Sequence, residues 1–108
     1  MTSRPVLWTQ TALSDLEAII DHIAAEHPAA ALEVLDRLQA RAAGLDILAP
    51  RGRVVPELRD IGVHQYRELI ERPWRIVYRD DGARTVVIAV LDARRDLDSL
   101  LLERLTRP

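Results

Sequence analysis

The chain's 108 residues, 48% hydrophobic and 30% charged, suit one folded domain and are not the composition of a disordered chain. Without cysteine it can form neither a disulfide nor a thiolate metal site, and no stretch has the length of a membrane span or the apolar run of a signal peptide, so a single cytoplasmic domain over residues 1–108 is expected. All 15 basic residues are arginine, against 17 acids, for a net charge of −2; three arginines face seven acids in residues 1–50 and twelve face ten thereafter, which excludes nucleic-acid binding by bulk charge and any lysine nucleophile or base, and leaves an anionic partner to a local arginine cluster in the second half.

Val6-Leu7-Trp8 reads as a short first strand, and Thr9 or Thr11 can cap the helix after it. Leu13, Leu16, Ile20 and Ile23 then recur at helical spacing on one face, with Asp15, Glu17 and Asp21 towards the N-terminal half, where the helix dipole favours acids. His27-Pro28 breaks that helix and starts a second, because proline is tolerated at a first helical position and disfavours helix for the residue before it. Ala31, Leu35, Leu38, Ala42 and Leu45 form its apolar stripe, and so short a link predicts an antiparallel helical hairpin. Gly44 weakens the last turns, and Pro50-Arg51-Gly52 ends the helical region.

Residues 53–62 read as a loop with an extended piece at Val54-Val55. Three strands follow: His64 to Ile70, Trp74 to Arg79 after a turn at Arg72-Pro73, and Arg84 to Leu91 after a hairpin turn at Asp80-Asp81-Gly82. The run Val86 to Leu91 is apolar without alternation, as befits a central strand covered on both faces. Asp96 can cap a short last helix carrying Leu97, Leu100, Leu101 and Leu105. The sum is an α+β fold, with the hairpin packed on a mostly antiparallel four-stranded sheet.

Strand alternation sends Trp74, Ile76 and Tyr78 to the face under the helices and Arg75, Val77 and Arg79 to the other. Arg67, Arg94 and Arg95 are expected to join Arg75 and Arg79 there, as guanidinium groups able to hold phosphate or carboxylate. The competing expectation is that these arginines pair with nearby acids such as Glu68, Glu71 and Asp96. His22, His27 and His64 lack metal-ligand spacing, so neither metal nor cofactor is expected. Ser3, Ser14 and Ser99 have no nucleophile context, the four glycines form no phosphate loop, and Glu57 and Glu68 could serve as general bases without an evident proton partner.

Several of these pieces, taken in order, resemble the ParE/RelE superfamily of type II toxin–antitoxin toxins. They are Trp8 with Ala12, Asp15-Leu16, Ile19-Ile20 and His22-Ile23-Ala24; Pro28 with Ala30-Ala31; Pro50-Arg51-Gly52-Arg53 before Pro56-Glu57-Leu58; Tyr66-Arg67-Glu68-Leu69; Trp74 to Arg79; and Val90 to Asp96. The resemblance implies a toxin neutralised by an antitoxin encoded nearby, ParD-like or otherwise of ribbon–helix–helix type. It also implies one of two activities: ribosome-dependent mRNA cleavage, or inhibition of DNA gyrase. Arg75 and Arg95 match basic positions of the nuclease branch, and Arg67 replaces a lysine. Leu69 stands where those nucleases often carry a second lysine, Leu101 where a tyrosine is often found, and Asp92 where a histidine is often found. An alkyl group moves no proton and a carboxylate repels an RNA backbone, so the resemblance favours gyrase inhibition without catalysis. Contact with gyrase or antitoxin is then expected from Arg67, Arg75, Arg79, Arg94, Arg95, Leu101 and Leu105. The alternatives are a ribonuclease using Arg67, Arg75 and Arg95, and a non-toxic antitoxin-binding domain.

Overall fold

A computed structural model describes residues 5–48 and 52–93. The expected last helix, with Arg94, Arg95, Leu101 and Leu105, lies outside these residues. In chain order the elements are β1 (Val6–Trp8), α1 (Gln10–Ala24), α2 (Pro28–Ala43), α3 (Leu45–Leu48), β2 (Arg53–Val54), α4 (Pro56–Arg59), β3 (Tyr66–Glu71), β4 (Trp74–Asp80) and β5 (Thr85–Asp92). The sheet has five strands in the order β1-β5-β4-β3-β2, one more than expected. β1 runs parallel to β5, and every other pair is antiparallel. The extra strand is β2, whose two residues are too few to show a sequence period. The other element in the expected loop, α4, is a single turn started by Pro56.

Local chemistry sets the boundaries. Thr9 caps α1, its side chain accepting from the Ala12 N–H. Pro28 opens α2 as the break at His27 requires, and Gly44 caps its end. At the β4–β5 turn, Gly82 takes φ +89°, a region costly for any residue with a Cβ, while the Asp81 carboxylate accepts from the N–H groups of Ala83 and Arg84.

The helical hairpin packs on one face of the sheet around Ala12, Leu16, Val34, Leu38, Ala42, Leu45, Ile76, Tyr78, Val87 and Val90. Ala12 and Val34 take inward places where the expected stripes had Leu13 and Leu35. Leu13 is 44% exposed, and Leu35 sits at the margin of the core. Full burial of a side chain such as Leu38 contributes about 1.5–3 kcal/mol. No acid stands in the first turn of α1, so Asp15 does not serve the helix dipole.

The far face of the sheet is not open to water throughout. Val55, Leu58, Val77, Ala89 and Leu91 form a second, smaller core there, with Val63, Tyr66 and Ile88 packed against it. An irregularity in β5 helps to build it: Val77 of β4 pairs with Ala89, whereas the next residue, Tyr78, pairs with Val87. Ile88 is thereby surplus to the ladder, so Ile88 and Ala89 both serve the far face while Val87 and Val90 serve the helices. The uniformly apolar run in β5 thus has a core on each side.

Candidate functional site

β3 and β4 bring acids and arginines together on the far face. Glu68 stands opposite Val77, and Arg75 opposite Ile70 and Leu91. Arg75 is only 5% exposed. Its Nε donates to Glu68 Oε1 at 2.6 Å, and its Nη1 and Nη2 donate to the two oxygens of Glu57 at 2.6 and 2.7 Å. Arg53, across the ladder on β2, donates from its Nε to the other oxygen of Glu68. Each buried charge therefore meets a fixed opposite charge in a bidentate or near-bidentate arrangement. The hydrogen bonds from Arg75 hold the Glu57 carboxyl below the usual glutamate range, burial opposing them. The Arg75 guanidinium is raised in return, by Glu57 first, against its own burial, and then by Glu68.

This corrects the expectation that Arg75 leaves its guanidinium free. The alternative, pairing with acids, holds for Arg75, and Glu68 is one of the partners it named. The sequence offers Glu57 as a possible base rather than a partner, because α4, which presents it, is too short to show as a helix. Neither glutamate is placed as a free base, since every carboxylate oxygen of both faces a guanidinium.

Arg67 does not join Arg75. It stands opposite Tyr78, whose side chain is in the core under the helices, so strand alternation turns it to the helix face. There its Nη1 donates to the carbonyl of Gly52 at 2.7 Å. Gly52 itself has no room for a side chain, since a Cβ would lie 1.9 Å from the Tyr78 hydroxyl. Burial pushes the Tyr78 phenol up. Arg79 stands opposite Tyr66 and Val86 on the far face, half-buried, with no hydrogen bond or ion pair among the described residues. Asp92 ends β5 opposite Trp74.

Beside the ion-pair cluster lies a groove of about 460 Å³ lined by Arg53, Ile70, Arg72, Pro73, Arg75 and Ala93. A second concave region lies along the seam of α1 with α2 and β1. Its two hollows, of about 380 and 260 Å³, share Leu13 and Leu16, the larger reaching Val6 and Trp8 and the smaller Ile20 and Leu35. Leu13 is 44% exposed here, with Ile20 and Leu35 beside it and Glu17 and Asp21 at the border. Among the described residues no group of three or more metal-ligating side chains comes together, and no helix is long and apolar enough to cross a membrane.

Comparison with known proteins finds a matching family and similar solved structures. The family described as the ParE toxin of the type II toxin–antitoxin system, parDE, matches residues 6–97. Among solved structures, the chain is similar to one titled "Chromosomal ParDE TA system from P. aeruginosa". That similarity is 26% identity at a TM-score of 0.69, covering 83% of this chain and 96% of that one. No curated protein matches.

Proposed function

The chain belongs to the ParE toxin family of type II toxin–antitoxin systems, and from that membership we propose that it inhibits DNA gyrase and is neutralised by a cognate antitoxin encoded nearby, of ribbon–helix–helix type. The observation that carries the gyrase reading is the condition of the arginines. A ribonuclease of this superfamily would need Arg67, Arg75 and Arg95 around one scissile phosphate. Arg75 is buried between Glu57 and Glu68, and Arg67 points to the other side of the sheet. A guanidinium already holding two carboxylates has little left to offer a developing phosphorane charge. Leu69 adds no group that could move a proton to or from RNA, and the Asp92 carboxylate would repel the RNA backbone.

Binding to gyrase asks less of these residues: a contact surface rather than a poised base. Arg79, with Arg94, Arg95, Leu101 and Leu105, supplies the proposed contacts, while Arg67 and Arg75 hold the sheet and loops in shape. The apolar hollow at Leu13, Ile20 and Leu35, bordered by Glu17 and Asp21, supports an antitoxin partner, since apolar surface rimmed by charge is a usual mark of a protein interface. The protein acts in the cytoplasm on this reading.

A supercoiling assay with purified gyrase tests the proposal. Inhibition at micromolar concentration, weakened by Arg79→Glu, is the expected result. No inhibition by a folded protein, together with discrete cuts in translated mRNA by primer extension, would establish the ribonuclease instead. Growth without arrest, with the antitoxin still bound, would mark a non-toxic binding domain.

A further inference from the structure

We propose that the groove of Arg53, Arg72 and Arg75 recognises carboxylates, and that it takes an acidic, aliphatic segment of a partner protein; identifying that partner with the antitoxin rests on the reading above.

Hydrogen-bond capacity comes first. Arg75, at the base of the groove, spends its Nε on Glu68 and both Nη groups on Glu57. Among the described residues Arg53 spends only its Nε, and its side chain is 57% exposed, so its terminal nitrogens remain available. Arg72 is exposed, and its guanidinium makes no hydrogen bond or ion pair among the described residues. The groove therefore offers two under-used guanidinium groups above a satisfied one.

Charge selects the ligand class. Among the described residues three arginines meet two carboxylates here, Glu57 and Glu68. Glu71, the next acid along β3, is held by Arg37 and Arg41 of α2. One positive charge is left over, which a single carboxylate balances. A nucleic-acid backbone carries a charge on every nucleotide and would meet the two fixed glutamates beside the groove, so phosphate recognition is disfavoured. Ile70, Pro73 and Ala93 supply an apolar wall, which suits an aliphatic side chain next to the acid. Recognition is through side chains rather than by strand addition. The carbonyls of Ile70 and Arg72 at this sheet edge already accept from Arg41 and Arg37.

The test is fluorescence anisotropy on the purified full chain with three labelled probes: a peptide of alternating aspartate and leucine, its asparagine–leucine analogue, and a single-stranded oligoribonucleotide. The aspartate peptide should bind, and the amide analogue should bind at least about tenfold more weakly. Arg72→Gln and Arg72→Glu should weaken the aspartate peptide progressively, the second about tenfold or more, and Arg53→Gln should weaken it as well. Arg72 takes no part in the core or, among the described residues, in an ion pair, so its variants keep the fold; Arg53→Gln removes one partner of Glu68, and circular dichroism checks its fold before binding is read. Equal binding of acid and amide peptides, indifference to Arg72→Glu, or preference for the oligoribonucleotide would each overturn the proposal. Co-purification with the protein encoded alongside separates this inference from the one beneath it. Absence of any complex with the unaltered chain removes the antitoxin reading, whereas a complex that forms equally well with Arg72→Glu removes the groove alone.

Discussion

The carboxylate of Asp15, in the second turn of α1, accepts a hydrogen bond from the backbone N–H of Val90 on β5 at 3.1 Å. β1 pairs with β5 only from Thr85 to Val87, and Thr9 adds one more bond, to the Val87 carbonyl. Beyond that point a helix side chain takes the place of a strand. An orphaned backbone donor costs about 1–3 kcal/mol. Asp15→Ala should therefore lower stability by about that amount in urea unfolding, while Asp15→Asn, which keeps an acceptor oxygen, should cost clearly less. Equal losses in the two variants would mean that Val90 does not depend on this acceptor.

The Arg75 cluster predicts an asymmetry between breaking and replacing an ion pair. Arg75→Ala strips Glu68 of one of its two partners and Glu57 of its bidentate one, and should cost about 3 kcal/mol or more. Changing Arg75 and Glu68 together to methionine removes a buried charge of each sign and should recover much of the loss. Denaturant midpoints of the single and double variants measure the difference directly.

Stability should fall in acid partly through Glu57. Its folded pKa lies below the ordinary glutamate value of 4.5, so its contribution is complete above that value and is lost as pH falls through the folded one. Asp81, lowered chiefly by the Arg84 N–H, has the same sign. Arg75 has the opposite sign: its raised pKa means a loss only as pH rises through the folded value, at extreme alkalinity. Glu57→Gln should flatten the acid limb of a stability–pH profile, and a limb of unchanged slope would assign acid sensitivity elsewhere.

Gly52→Ala should destabilise by about 1–3 kcal/mol or more, as overpacking does. The added Cβ would meet the Tyr78 hydroxyl at 1.9 Å, the ring at 2.8 Å and the Glu68 carbonyl at 3.0 Å. Tyr78 is fully buried and cannot swing away. Tyr78→Phe removes the worst of these contacts and should partly rescue the alanine variant in thermal unfolding. No rescue would place the strain on the Glu68 backbone.

The sequence marked out those elements whose period is long enough to read. α1 and α2 were legible from their apolar spacing and from Pro28, and the β4–β5 hairpin from Gly82. The same reading gives only an extended piece at Val54-Val55 where β2 pairs into the sheet, and misses α4, because no periodicity can be read over two or four positions. That omission hid the site. With residues 53–62 read as a loop, the cover that the apolar run of β5 implies on the far face has no element to supply it, and Arg75 has no partner in sight there. In the fold, Leu58 of α4 closes the second core, and Glu57 beside it reaches Arg75. Arg67 was misplaced for a related reason: alternation within a strand gives relative faces, but only the register against Tyr78 shows which face meets the helices.

The parallel pairing of β1 with β5 orders events during synthesis. β1, which precedes the hairpin in the chain, completes its ladder only on β5, which follows it, Val6 beside Thr85. The two helices can meet as soon as they emerge, since their contacts are close in sequence, yet their inner residues have no floor until β4 and β5 arrive. A nascent chain therefore carries its hairpin uncovered until the sheet is nearly finished. For as long as translation lasts, that hairpin is offered to whatever else in the cell can bind it before the molecule closes on itself.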